Sequence, residues 1–279
     1  MVRSELEARA LAQFDSLVEK GELFWEPSKE IKVEQQPFDV YFRISATTQQ
    51  KPYNPNDTSR RPGFLDDDPE FTLCHVTPNH KLIMNKFCWL RPQMILHTLD
   101  FQSQTDMLAR DDFEAAISVV KQLGERYMLI FNGGPDAGSS VAHKHLQVFQ
   151  RPEWKTAIDR VVEGEEVDLP FTYRLYRLTE SCQGDKLYEE YRAMCDELGI
   201  VNGCPHNLLL VRESMVVIPR SCATIKGDID GALIQGGANA MLGMLWLKTP
   251  QQLENWKSYG PIKALTDFGV VPKTQNGRA

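Results

Sequence analysis

Polar side chains that alternate along residues 143–147 constrain this chain most strongly. His143, His145 and Gln147 recur every two residues in an apolar neighbourhood, and side chains with this period share one face of a β-strand. The glycine-rich turn 132–140 precedes them and follows an apolar strand candidate at 128–131. Glycines in such a turn let backbone amides converge on an anion. This order of strand, anion-binding turn and histidine strand indicates nucleotide chemistry.

The two histidines alone allow three interpretations. They could be buried and hydrogen-bonded, they could bind a metal, or one could be a nucleophile. A transition-metal site usually recruits further His, Cys or carboxylate ligands. Gln147 is instead a neutral donor that suits a phosphoryl oxygen, and with the glycine turn it favours nucleophilic catalysis.

These motifs resemble diadenosine tetraphosphate phosphorylases, also called ATP adenylyltransferases, in the transferase branch of the histidine triad superfamily. The resemblance extends over about residues 37 to 265, in the further segments 51–55, 80–87, 101–104, 169–171, 206–210, 217–221 and 243–248. The sequence departs from the family pattern at 139–142, at Tyr173 and at 236–239. By the resemblance, these departures affect the fit around the second nucleotide, and hence which dinucleotide or nucleotide is preferred.

The resemblance implies a reversible phosphorolysis and a role for each motif residue. His145 is implied as the nucleophile that takes AMP from diadenosine tetraphosphate, before phosphate releases it as ADP. His143 would orient the ring of His145 or hold its tautomer. Gln147 and the amides around Gly138, Ser139 and Ser140 would stabilise the phosphoryl oxygens. Ser139 and Ser140 could equally be simple turn residues.

The net charge of −7 means that a polyanionic substrate requires a local positive pocket. The candidates are Lys51, Lys86 and Lys248, each of which would otherwise be an ordinary surface charge. Strand alternation directs Lys144 away from the two histidines. We therefore leave Lys144 out of the site. Asn85 and Asn132 are secondary candidates for contacts with the nucleotide.

Two other functions compete with phosphorolysis. A nucleotidyltransferase that acts on a sugar phosphate would share the histidine and the glutamine, and a non-catalytic module would only bind nucleotide. The expected partners are small molecules: diadenosine tetraphosphate, ATP, ADP and phosphate. Nothing resembles the basic stripe or aromatic platform of a nucleic-acid-binding protein. The oligomeric state is left open.

Composition is typical of a globular protein, with 42% hydrophobic and 25% charged residues in 279. No apolar run approaches the ~18 residues of a membrane-spanning helix, and no signal core begins the chain, so we expect a cytoplasmic protein. The six cysteines form no C-x-x-C pair and are expected to be free thiols; a metal site near Cys74 or Cys204 is the alternative. No covalent cofactor is expected, and a requirement for Mg²⁺ is left open.

The sequence predicts an α+β, histidine-triad-like fold, with helices packed on a mainly antiparallel sheet. Ser4 and Glu7 form a capping box for a first helix that Gly21 ends. Further helices are expected at 111–122 and 185–198, and Thr249-Pro250 opens a fourth. Strands are predicted at 39–44, 71–75, 81–85, 94–98, 128–131, 142–149, 173–178, 207–212 and 215–219. We expect one domain over 1–279, with an N-terminal catalytic part at about 1–155 and a C-terminal part at about 165–279.

Overall fold

The computed structural model describes residues 4–46, 64 and 69–271. In this part of the chain seven helices form: α1 (Glu5–Glu19), α2 (Arg110–Leu123), α3 (Ala157–Val162), α4 (Gly184–Leu198), α5 (Ala238–Met241), α6 (Pro250–Tyr259) and α7 (Pro261–Phe268). The strands of the same residues are β1 (Glu30–Val33), β2 (Val40–Ile44), β3 (Thr72–Val76), β4 (His80–Met84), β5 (Gln93–Thr98), β6 (Tyr127–Gly133), β7 (His145–Gln150), β8 (Arg174–Arg177), β9 (His206–Leu210), β10 (Ser214–Pro219), β11 (Thr224–Lys226), β12 (Leu233–Gln235) and β13 (Met244–Leu247).

One large antiparallel sheet organises the described residues. Its order is β3-β4-β5-β7-β6-β9-β10-β8, and every neighbouring pair in it is antiparallel. The neighbouring strands predicted at 207–212 and 215–219 form an antiparallel hairpin, β9 and β10, with Leu210 opposite Met215. The predicted α+β architecture, with helices packed on a mainly antiparallel sheet, is confirmed.

A hydrophobic layer packs on each face of this sheet. On one face, α1, α2 and α4 contribute Phe14, Phe113 and Tyr191, which are buried in one cluster with Leu146 and Val148 of β7. On the other face, Ile130 and Phe149 belong to a second cluster, which includes apolar side chains of β2, β13, α6 and α7. Because side chains alternate along β7, His145 and Gln147 share the second face with Phe149.

The first helix begins where its sequence signal predicts. Ser4 Oγ accepts the N–H of Glu7 at 3.1 Å, which is the N-cap bond. The Glu7 half of the capping box is wrong, because this carboxylate is buried and ion-paired with Arg126 Nη2 at 2.5 Å. The fourth predicted helix is confirmed as α6, in which Thr249 caps the first turn and Pro250 is the first helical residue.

The predicted strand over 142–149 is wrong at its start, because β7 begins at His145. The three preceding residues pair with a different segment. Gln104 N donates to Ala142 O at 2.7 Å, Lys144 N donates to Gln102 O at 2.8 Å, and His143 forms an isolated bridge with Ser103. The segment 102–104 is therefore the main partner of these residues, although Lys144 O still accepts the N–H of Thr98 at the end of β5 at 3.3 Å.

The remaining predictions on composition have direct outcomes. All six cysteines are free thiols, as expected. Among the helices of the described residues, none is long and apolar enough to cross a membrane.

Candidate active site

The start of β7 places the two motif histidines side by side at one end of the large sheet. His145 is the first residue of β7 and lies opposite His97 of β5. His143, His145 and His97 are all buried. Gln147 is two residues further along β7, on the same face. It is half-buried and lies opposite Ile95 and Ile130.

The tautomer of His145 follows from its hydrogen bond to the backbone. His145 Nδ1 lies 2.8 Å from the carbonyl oxygen of His143. A carbonyl oxygen can only accept, so the proton of this bond belongs to Nδ1. In the neutral ring Nε2 is then the unprotonated nitrogen, which is the form that an attack on phosphorus requires.

A buried glutamine fixes the backbone that carries this ring. Gln104 is fully buried, and its Oε1 accepts the N–H of His145 at 2.7 Å. Its Nε2 donates to the carbonyl of His145 at 3.1 Å and to that of Asn132 at 2.8 Å. One side chain therefore holds His145 on both sides of its Cα and ties it to the end of β6.

The ring of His143 is held by a separate set of bonds. Its Nε2 lies 2.9 Å from Thr98 Oγ1 and 3.1 Å from the carbonyl of Asp100. Thr98 gives its own proton to Asp100 O at 2.7 Å, so His143 Nε2 is the donor in both contacts. The predicted orienting bond to His145 is therefore made by the backbone carbonyl of His143, while its imidazole faces Thr98 and Asp100.

His97 is a third imidazole in this cluster, and sequence reasoning missed it. Its ring centroid lies 5.5 Å from that of His143. Phe64 stacks on His97 with a centroid distance of 4.8 Å, and half-exposed Phe101 lies 5.5 Å from His143. No local motif marks His97, because it reaches the site through the register of β5 on β7.

The glycine-rich turn folds into a 3₁₀ turn at Pro135–Ala137, which Gly138 ends in the left-handed conformation with φ 101°. The N–H groups of Gly138 and Ser139 donate to Pro135 O and Gly134 O, at 2.9 and 3.0 Å. Ser139 Oγ donates to Val141 O at 2.8 Å. These bonds agree with the alternative that Ser139 is a turn residue, and a phosphate contact from this loop stays a prediction.

Gly138 is also a point of close backbone contact with the C-terminal part of the chain. A Cβ at this position would lie 2.4 Å from the Cα of Gly237, so no other residue fits without moving one backbone. We expect Gly138→Ala to destabilise the protein by about 3 kcal/mol, from a left-handed Ala and overpacking together. The midpoint of urea-induced unfolding measures this loss.

Gly199→Ala is the matched control for that variant. Gly199 ends α4 in the same left-handed region, with φ 70°, and a Cβ there would meet nothing within 4 Å. We expect this control to cost only the conformational part, about 1 kcal/mol. Equal losses in the two variants would contradict a tight Gly138–Gly237 contact.

A buried polar network holds the glycine turn to β9 and β10. Asn207 Nδ2 donates to Asn132 Oδ1 at 3.0 Å and to Ala137 O at 2.9 Å, and Asn132 Oδ1 also accepts the N–H of Ala238 at 2.8 Å. Arg220 donates to Asn207 Oδ1 at 2.5 Å. Asn132 therefore links the glycine turn to the C-terminal part of the chain. Its predicted contact with nucleotide stays a prediction.

Arg220 is a buried cation within this network. Its guanidinium donates to the carbonyls of Phe268, Cys222 and Gly236 at 2.8 to 3.0 Å and lies 5.3 Å from the ring centroid of Phe268. Burial lowers the pKa of Arg220 to about 10, which keeps it charged near neutral pH. The resemblance included the segment 217–221 that contains Arg220, but it did not predict that Arg220 binds buried backbone carbonyls.

Lys144 occupies the opposite face of the sheet from Gln147, as strand alternation predicts. It is buried, and its Nζ lies 3.2 Å from Asp112 Oδ2. His80 Nε2 approaches the other oxygen of this carboxylate at 2.8 Å. Burial by itself would raise the pKa of Asp112, but the bond to His80 and the charge of Lys144 lower it by more, so the pKa lies below its usual value. The carboxylate is therefore ionised, on the face of the sheet opposite Gln147.

The other predicted binding residues are more dispersed. Lys51 lies outside the described residues. Asn85 follows β4 and accepts the N–H of Phe87 at 3.2 Å, while Lys86 is exposed, with its Nζ 6.0 Å from the ring centroid of Phe71. Lys248 follows β13 and is partly buried.

Two of these positions can be related to His145 along the sheet. Asn85 N donates to Gln93 O at the start of β5, four residues from His97, which is about 13 Å along the strand. Asn85 and Lys86 are therefore remote from His145 and would meet a distant part of an extended substrate. Among the residues that the structure describes, no group of three or more His, Cys, Asp or Glu could hold a metal ion.

Family models match both parts of the chain. Residues 6–163 match the Ap4A phosphorylase N-terminal domain, and residues 167–271 match the ATP adenylyltransferase C-terminal domain. Together these two models define a nucleotidyltransferase. The chain belongs to the Ap4A phosphorylase family, which confirms the resemblance seen in its motifs.

Known relatives agree with this assignment. Diadenosine 5′,5‴-P1,P4-tetraphosphate phosphorylase 2 of Saccharomyces cerevisiae is 27% identical over 271 residues, with 82% of each chain covered. Protein APA1 of the same yeast is 31% identical over 179 residues, which are 52% of this chain and 55% of that protein. The crystal structure of yeast Ap4A phosphorylase Apa2 in complex with Ap4A matches with a TM-score of 0.80 at 21% identity, and covers 97% of this chain and 99% of that chain. This last likeness shows that the fold is shared.

Proposed function

We propose that this chain cleaves diadenosine tetraphosphate with inorganic phosphate to ATP and ADP, reversibly, through a covalent adenylyl group on His145. The proposal rests mainly on the hydrogen bond between His145 Nδ1 and His143 O, which leaves Nε2 unprotonated in the neutral ring. The family assignment supports the reaction. Small nucleotides are therefore the proposed partners.

The first half-reaction forms a phosphorus–nitrogen bond. The lone pair of His145 Nε2 attacks the α-phosphorus of one adenosine, and the bond from that phosphorus to the bridging oxygen breaks. The oxygen leaves with its electron pair as part of ATP. Positive charge that develops on the ring is stabilised by the carbonyl of His143 at Nδ1.

The second half-reaction regenerates the enzyme. An oxygen of inorganic phosphate attacks the same phosphorus, the bond to Nε2 breaks, and ADP leaves while His145 recovers its lone pair. Neither half requires a base to deprotonate the nucleophile, because both the imidazole and the phosphate anion are ready to attack near pH 7. Gln147 donates to the non-bridging oxygens in both steps.

Product analysis tests this proposal directly. The protein is incubated with diadenosine tetraphosphate in the presence and absence of phosphate, and the nucleotides are separated by chromatography. We expect ADP and ATP with phosphate, and without it an acid-labile protein species heavier by one AMP. Release of AMP regardless of phosphate, or tight binding without turnover, would contradict phosphorolysis.

Several residues are proposed to bind the rest of the substrate. Contacts to the reacting phosphate, at the end of the sheet that carries His145, are proposed for the amides of Gly138, Ser139 and Ser140 and for the side chain of Asn132. At Gly138 and Ser139 the phosphate would have to compete with the acceptors of the turn itself, Pro135 O and Gly134 O. The positions proposed for the more distant phosphates and the second nucleoside are Lys51, Lys248, Asn85 and Lys86.

The proposed lysines give a prediction about affinity. Lys51→Ala and Lys248→Ala should each weaken binding of diadenosine tetraphosphate about tenfold, because a charge-assisted bond to phosphate is worth roughly 1.5–3 kcal/mol before neighbours compensate. Binding of AMP should change less, since AMP lacks the distal phosphates. Calorimetric titration of both ligands measures the difference.

Lys257→Ala is the control for a general change of charge. Lys257 lies on α6 and is exposed, with its Nζ 3.2 Å from Glu254, so its removal lowers the net charge without touching the proposed pocket. We expect no change for either ligand. An equal loss for the two ligands in the Lys51 or Lys248 variant would place that lysine elsewhere.

We also propose the domain organisation and location suggested by the sequence. One domain would contain an N-terminal catalytic part and a C-terminal part. The two family models meet between residues 163 and 167, and β8, β9 and β10 of the C-terminal part lie in the same sheet as β7. The six free thiols support a reducing compartment such as the cytoplasm.

A further inference from the structure

Gln93 is the start of a chain of amide hydrogen bonds that ends on Gln147. Its side chain is 1% exposed, and its Oε1 accepts the N–H of Trp89 at 2.8 Å. Its Nε2 donates to Gln147 Oε1 at 2.9 Å. Gln93 lies two residues from Ile95, which is directly opposite Gln147, so the two glutamines are diagonal neighbours on one face of the sheet.

The direction of both amides follows from the first bond in the chain. A backbone N–H can only donate, so the atom of Gln93 that faces Trp89 must be its oxygen. The other end of the Gln93 amide is then a donor, and the atom of Gln147 that receives it must also be an oxygen. The oxygen and nitrogen of an amide have nearly the same shape, but here the peptide N–H of Trp89 determines which is which.

We propose that Gln93 is a positioning residue that makes Gln147 a donor to the substrate. With Oε1 of Gln147 engaged by Gln93, its Nε2 is the end left to meet the phosphoryl oxygens. The inference rests on the proposed function, in which Gln147 contacts the α-phosphoryl group. A reversed amide would direct its carbonyl oxygen at the anionic phosphate, which is repulsive.

Gln93→Glu tests this role with almost no change of shape. The new carboxylate can still accept the N–H of Trp89, but it has no proton for Gln147, whose amide must turn its Nε2 toward position 93. We expect kcat to fall about 100-fold, the effect of losing one donor to a developing charge. The KM for diadenosine tetraphosphate should change less, because the remaining contacts persist.

The pH profile separates this role from a structural one. When the carboxyl at position 93 binds a proton, it can donate to Gln147 Oε1 again, so the original orientation returns. We therefore expect kcat of Gln93→Glu to recover as the pH falls through the pKa of that carboxyl, which burial raises. Wild-type kcat should show no such rise toward acid.

Two controls keep the test decisive. Gln93→Met removes the donor without imposing the reverse orientation, so its loss of kcat should be smaller than that of Gln93→Glu. In a Gln147→Ala background, either change at position 93 should alter kcat by less than about twofold, because its target is gone. If Gln93→Glu does not fold, as thermal unfolding would show, the Gln93→Met comparison in the two backgrounds decides.

The failure of this inference can be told from the failure of the proposed function. A wild-type protein that releases no ADP from diadenosine tetraphosphate and phosphate would overturn the function. If the wild-type protein does release ADP and Gln147→Ala is slow, a normal kcat for Gln93→Glu would overturn only the positioning role. The role is also overturned if position 93 has equal effects with and without Gln147, or if the pH profile of Gln93→Glu parallels that of the wild type.

Discussion

His145→Ala is expected to lower the rate of phosphorolysis by about five orders of magnitude, the scale seen when a covalent nucleophile is removed. Binding of AMP should stay within about threefold, because other residues are proposed to hold the nucleotide. In the proposed reaction the ring supplies the atom that forms the bond to phosphorus. Without it the proposed adenylyl intermediate cannot form, whereas we expect the fold to stay intact.

Steady-state rates and mass spectrometry check this expectation together. The variant should form no AMP adduct when incubated with diadenosine tetraphosphate in the absence of phosphate, and calorimetric titration should still detect AMP. Turnover within about a hundredfold of the wild type would exclude His145 as the nucleophile.

His143→Ala is the informative control for that variant. The bond that fixes the tautomer of His145 comes from the backbone carbonyl of His143, which alanine retains. The imidazole of His143 instead donates to Thr98 and Asp100. We therefore expect a much smaller loss than for His145→Ala, about 10- to 100-fold, from disturbed packing and placement of the motif. A loss equal to that of His145→Ala would assign the ring of His143 a part in the chemical step.

Local signals were sufficient for the elements that are built from neighbouring residues. The cap at Ser4, the Thr249-Pro250 start of α6 and the hairpin of β9 and β10 each depend on a few consecutive side chains. The alternation of His143, His145 and Gln147 likewise predicted a shared face, and it placed Lys144 on the opposite one. In all of these the chemistry and the geometry belong to one short segment.

The residues that sequence reasoning missed depend on contacts between distant segments. His97 and Gln93 lie at the site because β5 pairs with β7. No local feature of residues 93–98 predicts that register. The start of β7 was placed too early because pairing of 142–144 with 102–104 cannot be seen locally. A neutral amide such as Gln104, buried against both sides of His145, has no distinguishing signature beside it in the sequence.

The polar network around Arg220 was invisible for the same reason. Its partners come from the glycine turn, β9 and α7. Among the described residues it has no carboxylate partner, which is unusual for a cation in a core. The need for this cation arises from distant segments. Several backbone carbonyls converge where the N-terminal and C-terminal parts of the chain meet, and one guanidinium donates to all of them. Only the assembled sheet makes these acceptors neighbours.

Gln147→His is expected to change which acceptor discharges the adenylyl group. Gln147 has no titratable proton near neutral pH, so it can stabilise phosphoryl oxygens but cannot act as a general acid or base. An imidazole at this position would carry a proton on one nitrogen and a lone pair on the other near neutral pH, so it could act as a general acid or base. We expect the ratio of AMP, the water product, to ADP to rise about tenfold at fixed phosphate, while phosphorolysis slows.

The neighbours of position 147 explain why an imidazole would be competent there. Gln93 Nε2 now donates to Gln147 Oε1 at 2.9 Å, and it could donate to one nitrogen of the new ring. A neutral imidazole that accepts on one nitrogen carries its proton on the other, which would then face the phosphate and the attacking water. Gln147→Ala is the control, because it removes the donor without adding an acid or base, and it should slow both products together. An unchanged ratio of AMP to ADP in Gln147→His would show that exclusion of water from the pocket, rather than the residue at 147, selects phosphate.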